Sequence, residues 1–461
     1  MALIVPFRGV SYNPRKIDDL SRVVAPPYDV ISPQDQEVLY QRHPYNVVRL
    51  DLNKETPGDN PQDNRYTRSA ALYSAWLKEG ILLRAPKPLF YFVQEEFSPS
   101  ILPAWQTGPG SRTIVRRGFI GLIRLEEYGA GVVLPHEKTQ TKPRADRLAL
   151  MEACRANFSQ IYSLYEDPEG ALAPVYERVF SSGAPSMEAV DGEGVRRKVW
   201  MVEDPGILKR VREIMEPKKI YIADGHHRYE TALAYREKQR REFPRSTGRE
   251  TFHFTQMYFA ALEDRGVFIL PTHRVVNHLE DFSADSFLDR LRSDFSVEAF
   301  EFDGQSEEAV RDRLLRQLAA RSEKERVLGM RVKGVRKYFL LALKDGEAIR
   351  KAEPGIAPSL EALDVNLLHI PILKKLLHVG AQDLAASRKV LYFKDPAEAA
   401  AALQSGDGQI AFFLNPTRTH QVRDVSLAGE TMPSKSTFFY PKLLTGLVIN
   451  PLDPHEEVPV G

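Results

Sequence analysis

The stretch Lys218-Lys219-Ile220-Tyr221-Ile222-Ala223-Asp224-Gly225-His226-His227-Arg228 reads as a short apolar strand, a turn at Asp224-Gly225 and the first turn of a helix. The helix is predicted to run from His227 to about Arg240, with Tyr229, Ala232 and Leu233 on its buried side. Glycine permits the tight turn and a close backbone approach. The free N–H groups and the positive dipole end of the helix favour an anion. His226, His227 and Arg228 are cations or potential cations in that same turn, where they oppose the dipole. They are poor choices for helix stability alone and make sense around an anionic ligand. Arg228 is suited to gripping phosphate through two parallel bonds, and Asp224 to holding a metal ion or fixing a histidine tautomer. The competing reading, a capped helix with a hydrogen-bonded histidine pair, is the weaker one.

Around this corner the chain reads as an ordinary globular protein. Its 461 residues are too many for one core, so two or three domains are expected, with a boundary near residue 280. Residues 1–279 would form the catalytic or nucleotide-binding region. Residues 280–461 would form a second α+β region whose C-terminal segment folds back on the first. Lys and Arg number 63 against 62 Asp and Glu, which leaves no broad electrostatic footprint for nucleic acid or anionic membranes. The single cysteine, Cys154, excludes an internal disulfide. It reads as a packed thiol on a helix over Asp146–Asn157, on one face with Leu150 and Ala153. No apolar run approaches the roughly 20 residues of a membrane span, and the start lacks a signal-peptide pattern, so a cytoplasmic protein is expected.

Loops are predicted at 53–64, 98–111, 181–194 and 241–250. Between them lie a helix at Tyr66–Lys78 and strands at Leu89–Gln94 and Arg117–Leu125. Further along come helices at Ser286–Arg292, Glu307–Ala320, Leu367–Leu377 and Ala397–Leu403, and strands at Val327–Val332, Lys337–Ala342 and Val390–Phe393. This alternation predicts an α+β or mixed α/β fold.

Four other segments carry chemistry. Leu134-Pro135-His136-Glu137-Lys138-Thr139 offers Glu137 as a general base and Lys138 with Thr139 as phosphate contacts; a solvated charged loop is the alternative. Gln140 stands where a zinc protease would need its second histidine. Ala25-Pro26-Pro27-Tyr28-Asp29-Val30 is a stiff connector or a positioned wall. Leu270-Pro271-Thr272-His273-Arg274 is a ligand-facing strand end or a surface turn. Met432-Pro433-Ser434-Lys435-Ser436-Thr437, running into Phe438-Phe439-Tyr440-Pro441-Lys442, suits a phosphate or base-stacking wall through Lys435 and Ser436. A C-terminal strand with a polar lead-in fits equally well. No Gly-x-x-x-x-Gly-Lys-Ser/Thr loop occurs.

PFRG (6–9), APPYDVI (25–31), LPHEKT (134–139), Asp146-Arg147, SLYED (163–167), YIADGHHRYETAL (221–233), LPTHRVV (270–276) and MPSKSTFFYPKL (432–443) together resemble, in order and over nearly the full length, the bacterial and archaeal domain-of-unknown-function family 1015. The DGHHR segment is also similar to the corner shared by sulfiredoxin and the free-serine kinases, whose nucleotide-binding fold is that of the ParB partition proteins. The resemblance implies a ParB/sulfiredoxin-like nucleotide-binding core with additional α+β elements. It implies that Asp224, Gly225, His226, His227 and Arg228 contact nucleotide or substrate phosphates, with ATP or ADP and Mg²⁺ as cofactors. Sulfiredoxin needs a cysteine where this chain has His226, which excludes that chemistry.

The expected activity is a nucleotide-dependent phosphotransfer to a small hydroxylated metabolite, of the free-serine-kinase type. Glu137, Asp224, His226 and His227 would be catalytic, Asp224 would also hold the metal, and Gly225, Arg228, Lys138, Thr139, Lys435 and Ser436 would bind the nucleotide. One alternative is a ParB-like nucleotide switch acting on DNA, against which the charge balance argues. Another is a metal-dependent phosphatase using His136, Glu137, Asp224, His226, His227 and His273.

Overall fold

The computed structural model describes residues 1–98, 113–139, 141–302, 304, 306–380, 383–384 and 389–460. All but the first residue of the loop expected at 98–111 lies outside them. The fold is a mixed α+β one built on two large sheets. The first has nine strands, in the order Val133–Leu134, Ile220–Asp224, Ile161–Tyr165, Phe254–Ala261, Ile114–Arg124, Phe90–Phe97, Arg196–Val202 and Met187–Val190, with Ile4–Val5 also pairing onto Ile114–Arg124. Ile220–Asp224 runs parallel to Val133–Leu134 and Ile161–Tyr165 parallel to Phe254–Ala261; the other pairings are antiparallel.

The second sheet is antiparallel, in the order Phe295–Glu301, Lys337–Leu343, Val327–Val332, Ile410–Phe413, His273–Val276 and Val390–Phe393. The chain passes from one sheet to the other between Ala261 and His273. Residues beyond Phe413 then return to elements outside the second sheet: Asn450–Pro451 pairs with Ala156–Asn157 in a separate two-stranded sheet, and Thr445 and Ile449 bridge to Ala25 and Val10.

Most predicted elements form within a few residues of the expected bounds, and the departures have physical causes. The central strand starts at Ile114 rather than Arg117 because Arg116 is wholly buried in it, which a count of apolar residues cannot anticipate. A Cβ at Gly118 would lie 2.3 Å from the Tyr258 ring, so this strand can approach its neighbour only with glycine there. The helix expected at 146–157 is Thr141–Cys154, followed by the strand Ala156–Asn157; Cys154 is buried with Leu150, Tyr73 and Phe158 as expected. The stretch expected as a loop at 181–194 holds the edge strand Met187–Val190. At 367–377 an α-helix, Asp364–Leu368, passes into a π-helical stretch, His369–Leu376. Pro371 lies within it, where it removes a backbone donor. Among the described residues no helix is long and apolar enough to cross a membrane.

Candidate functional site

The strand Ile220–Asp224 and the helix His226–Glu242 meet at Gly225, whose φ of +98° is open to glycine and strained for other residues. A Cβ there would lie 2.8 Å from Arg228 Nε and 2.9 Å from its Cζ. The Arg228 guanidinium is thus turned back over the glycine; it donates to the Gln160 carbonyl and stands 3.7 Å from Asp224. Pairing with Ile161–Tyr165 shifts register between Ile222 and Asp224, a bulge that re-aims the aspartate. Asp224 accepts a hydrogen bond of 3.0 Å from Lys442 Nζ. Burial opposes its ionisation, but Lys442 and then Arg228 hold its carboxyl well below the usual range.

The segment Leu134–Thr139 lies directly against this corner. The His136 backbone N–H donates to His226 Nε2 at 3.3 Å, and the two rings meet edge to face with centroids 4.7 Å apart. His136 Nδ1 is 2.8 Å from the Ile222 carbonyl, so it carries the proton and leaves Nε2 to accept from Thr437 Oγ1 at 3.1 Å. Burial pushes the His136 imidazole down to about 4, and burial with His136 as neighbour pushes His226 well below its ordinary value. Both rings are neutral near pH 7. Glu137 has the opposite shift from Asp224: burial, aided by the charge of Asp224, raises its carboxyl, against Lys435, its backbone N–H and Lys442. Thr139 donates to Glu230 on the helix, and Lys138 is exposed.

The third side of the site comes from the C-terminal segment. Met432 bridges in parallel to Glu137, with its N–H on the His136 carbonyl at 2.8 Å. Lys435 has a φ of +60°, and its charge faces the Glu137 carboxylate. Ser436 turns its hydroxyl onto the Pro433 carbonyl. Lys442 and Lys394 lie 4.3 and 3.8 Å from the centre of the Phe438 ring.

A buried network holds this segment. Glu95 accepts from Arg116 at 2.6 Å and Arg197 at 3.0 Å, all three at most 1% exposed. The two guanidiniums then donate to the carbonyls of Tyr440 (3.2 Å), Pro441 (2.8 Å) and Lys442 (2.7 Å). The base of the Lys442 side chain is therefore fixed from inside the nine-stranded sheet.

Residues 4–366 match the family described as "Protein of unknown function (DUF1015)". The chain belongs to this family. No curated protein sequence matches it. Among solved structures, SbnI with a C-terminal truncation from Staphylococcus aureus is 10% identical, with 73% of this chain and 90% of that chain covered and a TM-score of 0.35. A conserved hypothetical protein from Pyrococcus furiosus is 12% identical over 72% and 96%, at 0.32. A free serine kinase in complex with AMP is 12% identical over 69% and 86%, at 0.29. At such TM-scores these likenesses carry no argument about this chain.

In this DUF1015 protein the residues singled out in the sequence therefore separate into groups. Asp224, Gly225, His226, Glu137 and Lys435 come together. His227 is half-buried, with Glu230 and Asp29 facing it. Thr139 and Ser436 have their hydroxyls committed to protein acceptors, while Arg228 braces the turn from behind. In the 25–30 segment Arg147 stacks 4.1 Å over the Tyr28 ring, Arg228 faces Tyr28, and Asp29 faces His227. His273 lies apart, buried against Phe413 in the six-stranded sheet. Among the described residues no three His, Cys, Asp or Glu side chains gather as metal ligands. Lys442 was not picked out as a site residue, although its segment was; its role depends on a contact with Asp224 across 218 positions of sequence.

Proposed function

We propose that this protein is a nucleotide-dependent phosphotransferase acting on a small hydroxylated metabolite. One observation carries the reading: two carboxylates stand near the N-terminus of the helix His226–Glu242, Asp224 already paired with Lys442 and Arg228, and Glu137 in no ion pair among the described residues. Their proton affinities are thereby pushed apart, Glu137 upward and Asp224 downward. Such a split assigns the proton-accepting role to the group with the higher affinity and a purely electrostatic role to the other. The similarity of the DGHHR corner to that of the free-serine kinases supports a nucleotide as phosphoryl donor.

In this account the phosphates lie at the N–H groups of the first turn, which have no acceptor within the helix. Lys435 and Lys442 offset the charge of the transferred group. Glu137 takes the proton of the acceptor hydroxyl as its oxygen bonds to phosphorus and the bond to the leaving nucleotide breaks. Asp224 already faces Lys442 and Arg228, so it does not fit a Mg²⁺ ligand and no step runs through a metal there. Residues 1–279 supply the catalytic region, completed by the returning C-terminal segment, and a nucleotide co-substrate fits a cytoplasmic protein.

Purified protein incubated with ATP or ADP and free serine, with phosphoserine followed by mass spectrometry, is the direct assay. Product that disappears in Glu137→Gln supports the reading. Nucleotide binding that drives salt-sensitive DNA association without turnover would replace it with a switch.

A further inference from the structure

Lys394 directly follows the edge strand Val390–Phe393 of the six-stranded sheet, and its ammonium lies 3.8 Å from the centre of the Phe438 ring. Lys442 reaches the same ring from the C-terminal segment, at 4.3 Å, and bonds Asp224 at 3.0 Å. Two cations thus share one aromatic ring, and only Lys442 has a carboxylate. Among the described residues Lys394 makes no ion pair. Its neighbour Asp395 is taken up in capping the helix Pro396–Ser405, where it accepts from the Ala397 N–H at 2.7 Å. Lys394 is exposed and Phe438 only partly so.

The segment that carries the ring is anchored on both sides of it. Arg274, 1% exposed, donates to the carbonyl of Lys435 at 3.1 Å, and Arg116 and Arg197 hold the carbonyls from Tyr440 to Lys442. One lysine over an aromatic ring is ordinary packing. A second is not explained that way, because the two ammoniums repel and a methionine would cover the ring without that repulsion. The pair makes sense with an anion beside it.

We propose that Lys394 is a specificity-determining residue, which shares the Phe438 ring with Lys442 and binds an anionic group carried by the acceptor. The acceptor is then a hydroxylated metabolite with a carboxylate or a phosphate ester. The six-stranded sheet reads that charge, while the Asp224–Arg228 corner on the nine-stranded sheet holds the donor. The proposal rests on the phosphotransferase reading for calling this anion the acceptor's.

Glycerate, glycerol 3-phosphate and glycerol share a skeleton and differ in charge. Calorimetric titration of each into the full chain, with and without saturating ADP, is the test. At least one of the anions should bind the wild type about tenfold or more tightly than glycerol, and which one does so separates a carboxylate from a phosphate ester. Lys394→Met keeps an apolar stem over Phe438 without the charge and should lose that preference; Lys394→Arg, still a cation that stacks on a ring, should restore it. No preference for either anion in the wild type, or a preference that survives in Lys394→Met, overturns the proposal. So does an equal loss of ADP affinity in Lys394→Met, which would place Lys394 at the donor phosphates. The titrations need no turnover. A Lys394-dependent anion preference in a protein that transfers no phosphate would sink the proposed function and leave the anion site standing.

Discussion

The corner at Asp224–Arg228 and the segment Met432–Lys442 meet where Lys442 pairs with Asp224, but they are held in different ways. The corner is made by its own sequence: a strand, a glycine at positive φ and a helix in immediate succession. The C-terminal segment has only two residues of strand, Phe439–Tyr440, and otherwise no regular structure. It is fixed by side chains far away in sequence, through the Glu95–Arg116–Arg197 network and Arg274. A site of this kind has one half specified locally and one half specified by tertiary contacts.

The comparison can be broken most forcefully at Glu95. Glu95→Gln leaves two buried guanidiniums without their shared carboxylate, and a loss of about 3–5 kcal/mol in denaturant-unfolding stability is expected. A loss below about 1 kcal/mol would mean that the network does not hold the segment. On the local side, Gly225→Ala forces an unfavourable φ and a Cβ against Arg228, and should cost about 1–3 kcal/mol while abolishing nucleotide binding in calorimetry.

The histidine pair between the two halves sharpens the comparison through pH. His136 has an ordinary value of 6.5 and a folded value of about 4, so the unfolded chain binds its proton first. Its contribution is complete above pH 6.5 and is lost as pH falls toward 4, by at most about 1.4 kcal/mol per pH unit. Stability measured from pH 7 to 4.5 should therefore fall more steeply in the wild type than in His136→Gln; parallel curves would contradict the assignment. The smallest effect is expected at Lys138, which is exposed. Lys138→Ala should stay within about 0.5 kcal/mol of the wild type, and a larger loss would mean that the loop is anchored by more than Thr139.

The same division explains what the sequence disclosed. The strand–glycine–helix corner was legible because its periodicity and turn residue are contiguous. The orientation of Arg228 was not, since a guanidinium can reach forward to a ligand or back over its own turn, and only the Gln160 carbonyl and Asp224 decide between them. The commitment of Thr139 to Glu230, and of Lys442 to Asp224, is likewise a matter of which distant groups arrive nearby. Arg116 and Arg274 show the same limit from the other direction. Arg274, read as part of a strand end or a surface turn, and Arg116, left just outside the predicted strand, are among the most deeply buried side chains.

The measurement that bears most directly on the whole account is Glu137→Gln assayed twice, once for nucleotide affinity and once for phosphoryl transfer. If Glu137 is the base and the corner holds the phosphates, affinity stays near the wild-type value while transfer falls by about 10²-fold or more. Transfer at the wild-type rate in that variant would contradict the account.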